Sequence, residues 1–390
     1  MSAQAPLATP SAERPPRTPR RARLPAATLP RTLAVVIAAG VALFVASEAV
    51  NSYADLQLAE GAYYFTVLAG LTVLTGLSGQ ISLGHGALMA VGAYTVALLV
   101  GNEHWPLAGA LVTAVAVTAG VGMLVGAAAS RLRGPYLAGA TLAFAVGLPA
   151  LAEKYAGTFG GANGLTINPP TVPSSLGLGF PLERWEAWIA GIGALIVVFA
   201  MNNLVRSGVG RSFRAVRDDE IAASLCGLHA GRVRTLAFVL SAACAGLAGG
   251  MLAVVLQLAA PGAFQLGLSL SLLTAIVLGG LGSQLGAVWG AAVLVLLPGW
   301  TSDLAHSFSL STNVSANLPL AIYGVVLIGA MLLWPTGIQG ALRKIGVLVR
   351  RPRPAAPSAA ARSARAPTDS ARGASNTQHQ DEEEHLDESN

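Results

Sequence analysis

Residues 61–101 read GAYYFTVLAGLTVLTGLSGQISLGHGALMAVGAYTVALLVG, with no Asp, Glu, Lys or Arg among them. A helix needs about 20 apolar residues to cross the hydrocarbon core of a bilayer. The stretch therefore holds two spans, near 61–77 and 81–101, joined through the Gly- and Ser-rich segment Gly76-Leu-Ser-Gly-Gln-Ile-Ser-Leu-Gly-His-Gly86. Outward from it, the same alternation of apolar run and short polar break covers most of the chain. One further run precedes it, from about Thr32 to Ser47. Others lie near 107–129, 135–152, 185–205, 235–257, 267–281, 285–298 and 318–334. The pattern predicts an all-α integral membrane protein with about ten transmembrane helices, some short or broken.

Composition agrees. Of 390 residues, 53% are hydrophobic and only 11% charged, against about 25% charged in a soluble globular domain. The mean hydropathy is +0.60. So few charges cannot cover a water-facing surface, and a lipid bilayer is the natural solvent. The 45 glycines would weaken soluble helices but let membrane helices approach closely. Gly122 and Gly126, and Gly282, Gly286 and Gly290, recur at four-residue spacing and fit such packing. The sequence pI of about 9.6 does not point to nucleic acid, because the basic residues sit in short clusters between apolar runs, with no fold to present them. Cys226 and Cys244 form no CxxC or zinc pattern and read as free thiols. No metal or other cofactor is expected.

Residues 1–31, rich in Pro, Ala and Arg, read as a disordered basic tail. A basic start before an apolar run also resembles a signal peptide, but the tail is long for that, and a retained first helix is the favoured reading. Placing the N-terminus inside and alternating puts the tail, Arg131 and Arg133, the loop 206–234, and Arg343, Lys344, Arg350, Arg351 and Arg353 on one side. The other side receives Asp55, Glu60, Glu103, His104, the loop 153–184, Asp303 and His306, with only Lys154 and Arg184 basic there. That asymmetry is the positive-inside pattern and gives an N-in, C-in protein. The expected membrane domain is 32–345. Residues 346–390 form a second disordered tail with an acidic end, Asp381 to Glu388.

A second interruption, Gly279-Gly-Leu-Gly-Ser-Gln-Leu-Gly286, echoes the first in the other half of the chain. Paired breaks of this kind hint at a weak internal repeat with a site at the break. They are equally readable as two tight cytoplasmic turns between helices.

The energy source is read by elimination. No Asp, Glu, Lys or Arg falls in the middle of a span, which fits neither a proton pump nor a voltage sensor. The only lysines, Lys154 and Lys344, follow no Gly-rich phosphate loop, so the chain has no Walker motif. If ATP drives it, another subunit hydrolyses the ATP; this chain is no enzyme. The loop 206–234 then becomes informative. After Gly210 it should be helical, with Phe213, Val216, Ile221, Leu225 and Leu228 as a rough apolar stripe, and Arg211, Arg214, Arg217, Asp218 and Glu220 as polar surface. Such a helix lies on a membrane or fills a partner's groove. The acidic pair and the small Ala222/Ala223 face favour the partner.

At this loop the chain resembles the permeases of ABC importers: Glu220-Ile-Ala222-Ala223, followed by Gly227, is similar to their EAA loop, with one residue inserted. Further stretches resemble branched-chain amino-acid permeases of the LivM subunit family, in that family's order. They are Ser78–Gly86 with Gly92-Ala-Tyr94, Arg133-Gly-Pro-Tyr-Leu-Ala138, Gly160-Gly-Ala-Asn-Gly-Leu165, Arg217-Asp-Asp-Glu-Ile-Ala222, Leu278-Gly-Gly-Leu-Gly-Ser283 and Trp334-Pro-Thr-Gly337. The resemblance covers roughly residues 60–340. It implies a multi-pass protein of the bacterial cytoplasmic membrane, importing leucine, isoleucine or valine by alternating access. It also implies as partners a related LivH-type permease, two ABC ATPases and an external substrate-binding protein, for which the loop 153–184 is the expected docking place. Arg211, Arg214, Arg217, Asp219, Glu220, Ala222, Ala223 and Gly227 would then form the coupling loop. Ser78, Gln80, Ser82, His85 and Gln284 are the expected pathway groups, able to bond an amino acid or amide without a fixed charge. Helix packing serves equally well for His85, and capping of a broken helix for Gln80 and Gln284. The alternatives are a urea or short-amide permease, to which Gly160–Leu165 is about equally similar, a stand-alone carrier or channel, or a scaffold without transport.

Overall fold

The computed structural model describes residues 28–130, 135–177, 179–307, 321–322, 324–325, 329 and 337–342. All of these but Leu342 belong to one compact unit, Met1–Ala341. The described residues are helical almost throughout. Its helices are α1 (Thr28–Ala49), α2 (Ser52–Leu71), α3 (His85–Ala97), α4 (Leu107–Ala129), α5 (Pro135–Lys154), the single turn α6 (Ala156–Phe159), α7 (Leu182–Arg206), α8 (Gly208–Asp218), α9 (Glu220–Leu225), α10 (Ala230–Leu256), α11 (Leu266–Gly279) and α12 (Gln284–Ser307). Two π-helical turns, Thr72–Leu77 and Leu98–Asn102, extend α2 and α3.

Among the described residues, seven helices are long and apolar enough to cross a membrane, and two shorter apolar helices, His85–Gly101 and Gln284–Trp300, accompany them. These match nine of the ten expected spans. The tenth, 318–334, lies outside the described residues apart from short helical pieces at 321–322, 324–325 and 329, and so do most of both expected tails. Boundaries moved where local chemistry overrode hydropathy. α1 is helical from Thr28, the first residue described, so it takes in residues assigned to the expected tail. α2 starts at Ser52, nine residues before the expected 61, because Asn51 caps it by accepting from the Ala54 N–H at 3.0 Å. Asp55 and Glu60 are therefore helical, not loop residues. Asp55 is fully buried, and this is tolerated because Arg184 at the start of α7 bonds it at 3.4 Å and Glu48 of α1 at 3.2 Å.

α10 is the central helix, and with α2 it is the most enclosed of the spans. It packs on α2, α3 and α4. Glycine makes all three contacts close, Gly70 of α2 lying against Ser241 and Cys244 of α10. A Cβ on Gly246 or Gly249 of α10 would overlap Thr118 of α4 or the Met89 backbone of α3. On the α4 side, Gly122 and Gly126 lie against Ala242 and Phe238 of α10, the close approach their spacing predicts. α2 carries α7 and α12 on its flanks, α1 leans mainly on α7, and α5 leans on α3.

At one end of the bundle Leu165–Thr166 (β1) pairs antiparallel with Leu258–Ala259 (β2), beside Lys154, Arg184, Glu103, Glu153, Glu183 and Glu186. The opposite end holds both glycine interruptions and the α8–α9 segment, with Arg206, Arg211, Arg214, Arg217, Arg232 and Arg234. The positive-inside rule assigns the second end to the cytoplasm.

Candidate functional site

The site is the inner end, where the loop between α7 and α10 meets the two interruptions. Its folding follows from local signals. Ser207 caps α8 by accepting from the Gly210 N–H at 3.4 Å. Phe213 and Val216 on α8 are buried in the bundle. Arg214 donates to the carbonyls of Val205 and Gly210 and holds α8 against the end of α7. Arg211 bonds the Arg206 carbonyl at 3.3 Å. The helix then stops at Asp219, whose extended backbone and carboxylate start α9: Oδ1 accepts from the Ile221 and Ala222 N–H groups at 2.9 and 3.0 Å. Gly227, at φ +85°, ends that turn in the left-handed region.

The Asp219 turn corrects the expectation of one continuous amphipathic helix. The stripe is split in two. Phe213 and Val216 face inward, whereas Ile221 and Leu225 are 74% and 84% exposed. Ala223 is buried and Ala222 exposed. Glu220 pairs with Arg234 in the first turns of α10, at 3.0 and 3.3 Å.

Of the expected pathway groups, Ser78, Gln80, Ser82 and His85 come together in the segment 78–84 and at the start of α3, and all four are buried. Each is bonded to protein. Gln80 Nε2 donates to Ser78 Oγ at 2.7 Å and to the Arg234 carbonyl at 3.1 Å. Ser82 Oγ accepts from the Gly84 N–H at 3.3 Å. His85 Nε2 lies 2.7 Å from Ser241 Oγ of α10, while its Nδ1 has no partner. Gln284 stands apart at the start of α12, and neither end of its buried amide is bonded. The two interruptions touch: a Cβ on Gly76 would overlap the Gly282 backbone, and a Cβ on Gly337 would overlap the Gly280 backbone. Gly337 therefore joins the point where the two interruptions meet.

Sequence reasoning did not single out Arg234, Ser241, Ser269 or Thr141. Ser269 Oγ accepts from the Gly86 N–H, and Thr141 Oγ1 from the Leu83 N–H, both at 3.0 Å. Arg234 lies within the expected coupling loop 206–234, and the three hydroxyls stand singly on apolar helices, where nothing in sequence separates them from hydroxyls bonded to their own backbone. Among the described residues, cavities lie elsewhere. One of about 800 Å³ between α4, α7 and α10 is walled by Trp105, Leu111, Trp185, Ile192 and Met251. Another, of about 540 Å³, lies between α1, α2, α7 and α12. None of the five expected pathway groups lines either.

Comparison with known proteins fits this geometry. The LivM permease protein of Salmonella typhimurium, named for high-affinity branched-chain amino acid transport, is 36% identical over 262 residues, covering 60% of each chain. Escherichia coli LivM is 35% identical over the same length, so the match spans 60% of these relatives. Escherichia coli LivH, a permease protein with the same stated transport role, is 27% identical over 296 residues, covering 72% of this chain and 92% of that one. No solved structure matches. Residues 53–334 match the family described as the permease component of branched-chain amino acid transport systems, and the chain belongs to that family.

Proposed function

We propose that this chain is one of two permease subunits of an ABC importer in the bacterial cytoplasmic membrane, carrying leucine, isoleucine or valine inward. The observation that carries the reading is the two-sided character of the α8–α9 segment. It turns Ile221 and Leu225 outward, as a groove-filling helix does, while Arg217 and the Glu220–Arg234 pair tie its other side to the first interruption. An ATPase subunit gripping the outward side moves the inward side. The similarity to both LivM and LivH supports a second, related permease as the companion. The pathway would run between the two subunits, along α5, whose Gly139, Ala140, Ala143 and Gly147 are exposed small residues. Small residues of this kind admit a close neighbour.

In this reading the inner-end turns are the cytoplasmic gate. Ser78, Gln80, Ser82 and His85 are engaged with protein in the closed state, and with Gln284 they meet substrate only once the turns open. No group reacts chemically. Transport needs only contacts that differ between an outward and an inward state, with an external binding protein delivering substrate to the outer loops 153–184. The test is to co-express the chain with candidate ATPases and a candidate second permease from the same organism and purify on a tag carried by this chain. Co-purification of all subunits, with ATPase activity raised by the loaded binding protein, supports the reading. A chain that purifies alone and moves substrate without ATP contradicts it.

A further inference from the structure

The final turn of α2 has an unusual finish. Residues Thr72–Leu77 wind as a π-helix, a form that clusters at functional sites. The chain then leaves the helix through Gly79 at φ +72°. A helix end leaves several carbonyls without intrahelical partners. Here the Val73 and Leu74 carbonyls are taken by the N–H groups of Ser78 and Gln80, both at 3.1 Å. The Gly76 carbonyl is taken from outside: Arg217 Nη1 of α8 donates to it. Arg217 Nε and Nη2 are held in turn by the Asp218 carboxylate at 2.9 and 2.8 Å.

Three features make this contact stiff. The guanidinium is a planar fork, fixed at one edge by Asp218 and at the other by Gly76. The aliphatic stem lies flat on Gly79, where a Cβ would come within 2.7 Å of Arg217 Cγ. The placement is also electrostatically favourable, since a cation at a helix C-terminus meets the negative end of the dipole. Beyond the contact, Gly76 abuts the Gly282 backbone with no space for a side chain. A push on one turn therefore reaches the other without slack, as close-packed interiors require. A second link runs beside it, from Glu220 through Arg234 to Gln80.

We propose that Arg217 is the positioning residue that transmits movement of the α8–α9 segment to the end of α2, and that the Gly76–Gly282 contact passes it to the turn between α11 and α12, so that both turns open together. This rests on the importer reading above. It goes beyond that reading in naming the strut, the carbonyl it caps and the point where the two turns are joined.

The test uses the whole complex in proteoliposomes: both permeases, the ATPases and the binding protein. Uptake per ATP hydrolysed is measured for wild type, Arg217→Gln, Arg217→Lys and Gly79→Ala. Arg217→Gln should lose uptake per ATP by at least about fivefold, the lower end of typical coupling effects. Arg217→Lys keeps a cation and a donor and should recover part of the loss. Gly79→Ala displaces the stem and should behave like Arg217→Gln, with no further loss in the double variant, as residues acting through one contact do.

A spectroscopic reading separates transmission from mere folding. In a Cys226→Ser background, spin labels on Ala215→Cys and Ile81→Cys report the distance between α8 and the first turn. With the strut intact the distance should stay constant between nucleotide-free and ATP-bound states; in Arg217→Gln it should vary with nucleotide. Wild type active but with a varying distance, or Arg217→Gln fully coupled, overturns the proposal and leaves the importer reading intact. Wild type without ATP-driven uptake overturns both.

Discussion

Reversing the charge at Glu220 gives a prediction with a magnitude. Its carboxylate lies 3.0 Å from Arg234 Nη2, and the two side chains are 32% and 21% exposed. At that distance two unit charges interact by about 1.4 kcal/mol in bulk water and about 5.5 kcal/mol at an effective dielectric constant of 20. Partial exposure and side-chain entropy reduce a pair of this kind to roughly 0.5–1 kcal/mol. Glu220→Gln should therefore lower the population of the docked segment only about two- to fivefold, since 1.4 kcal/mol corresponds to tenfold. Glu220→Lys adds repulsion, and it also places a cation at the start of α9, where the helix dipole disfavours it by about 0.3–1 kcal/mol. The sum is about 2 kcal/mol, a loss of roughly twentyfold or more in the docked population. Arg234→Glu in the same chain restores attraction but not the dipole term, so the swapped protein should regain most, though not all, of the activity. The assay is uptake per ATP in proteoliposomes, with protein recovery from the membrane as the folding control. A swapped protein no better than Glu220→Lys, or Glu220→Gln as damaged as Glu220→Lys, would refute the ion-pair argument.

Other outcomes follow from the same geometry. Leu225→Asp alters a residue 84% exposed; membrane assembly should be unchanged, while co-purification of the ATPases is lost. Ser241→Ala removes the partner of a buried His85 whose other ring nitrogen is already unbonded; the melting temperature in detergent should fall, for a loss of about 1 kcal/mol. Gly249→Leu drives a side chain into the Met89 backbone where α3 and α10 cross, and should abolish stable expression, measured by fluorescence-detected size exclusion. Arg184→Met strands the fully buried Asp55; because Arg184 is itself partly exposed, the loss should be about 2 kcal/mol, below the 3–5 kcal/mol of a fully buried pair, and Asp55→Asn in the same chain should restore part of it.

Much of the fold was legible because lipid imposes one dominant rule: each apolar run of sufficient length becomes a helix. Nine spans follow from hydropathy alone. The start of α2 does not, because Asn51 and the distant Arg184 make a helix of a stretch whose Asp55 and Glu60 look like loop residues. The split of α8 from α9 was equally hidden. Periodicity saw Phe213 through Leu228 as one stripe, while the Asp219 side chain turned the second half outward. At the site, the pattern of glycine, serine and glutamine correctly marked the two interruptions, yet it left open whether they sit at membrane depth or at an end. The answer is carried by a contact between residues far apart in sequence, Gly76 with Gly282, and by a carbonyl that Arg217 reaches from another helix. Neither leaves a local signature. The polar groups bonded to the turns, Ser241, Ser269 and Thr141, sit singly in apolar helices, where a hydroxyl bonding its own backbone looks the same in sequence.

The most direct test of the account is solute uptake in proteoliposomes holding the chain with its companion permease, ATPases and binding protein, challenged in turn with leucine, valine, urea and acetamide. Uptake of leucine and valine should require both ATP and the binding protein and stop when either is withheld. Uptake of urea or acetamide in their place would contradict the substrate; uptake by this chain alone, driven by an ion gradient and indifferent to ATP, would contradict the mechanism.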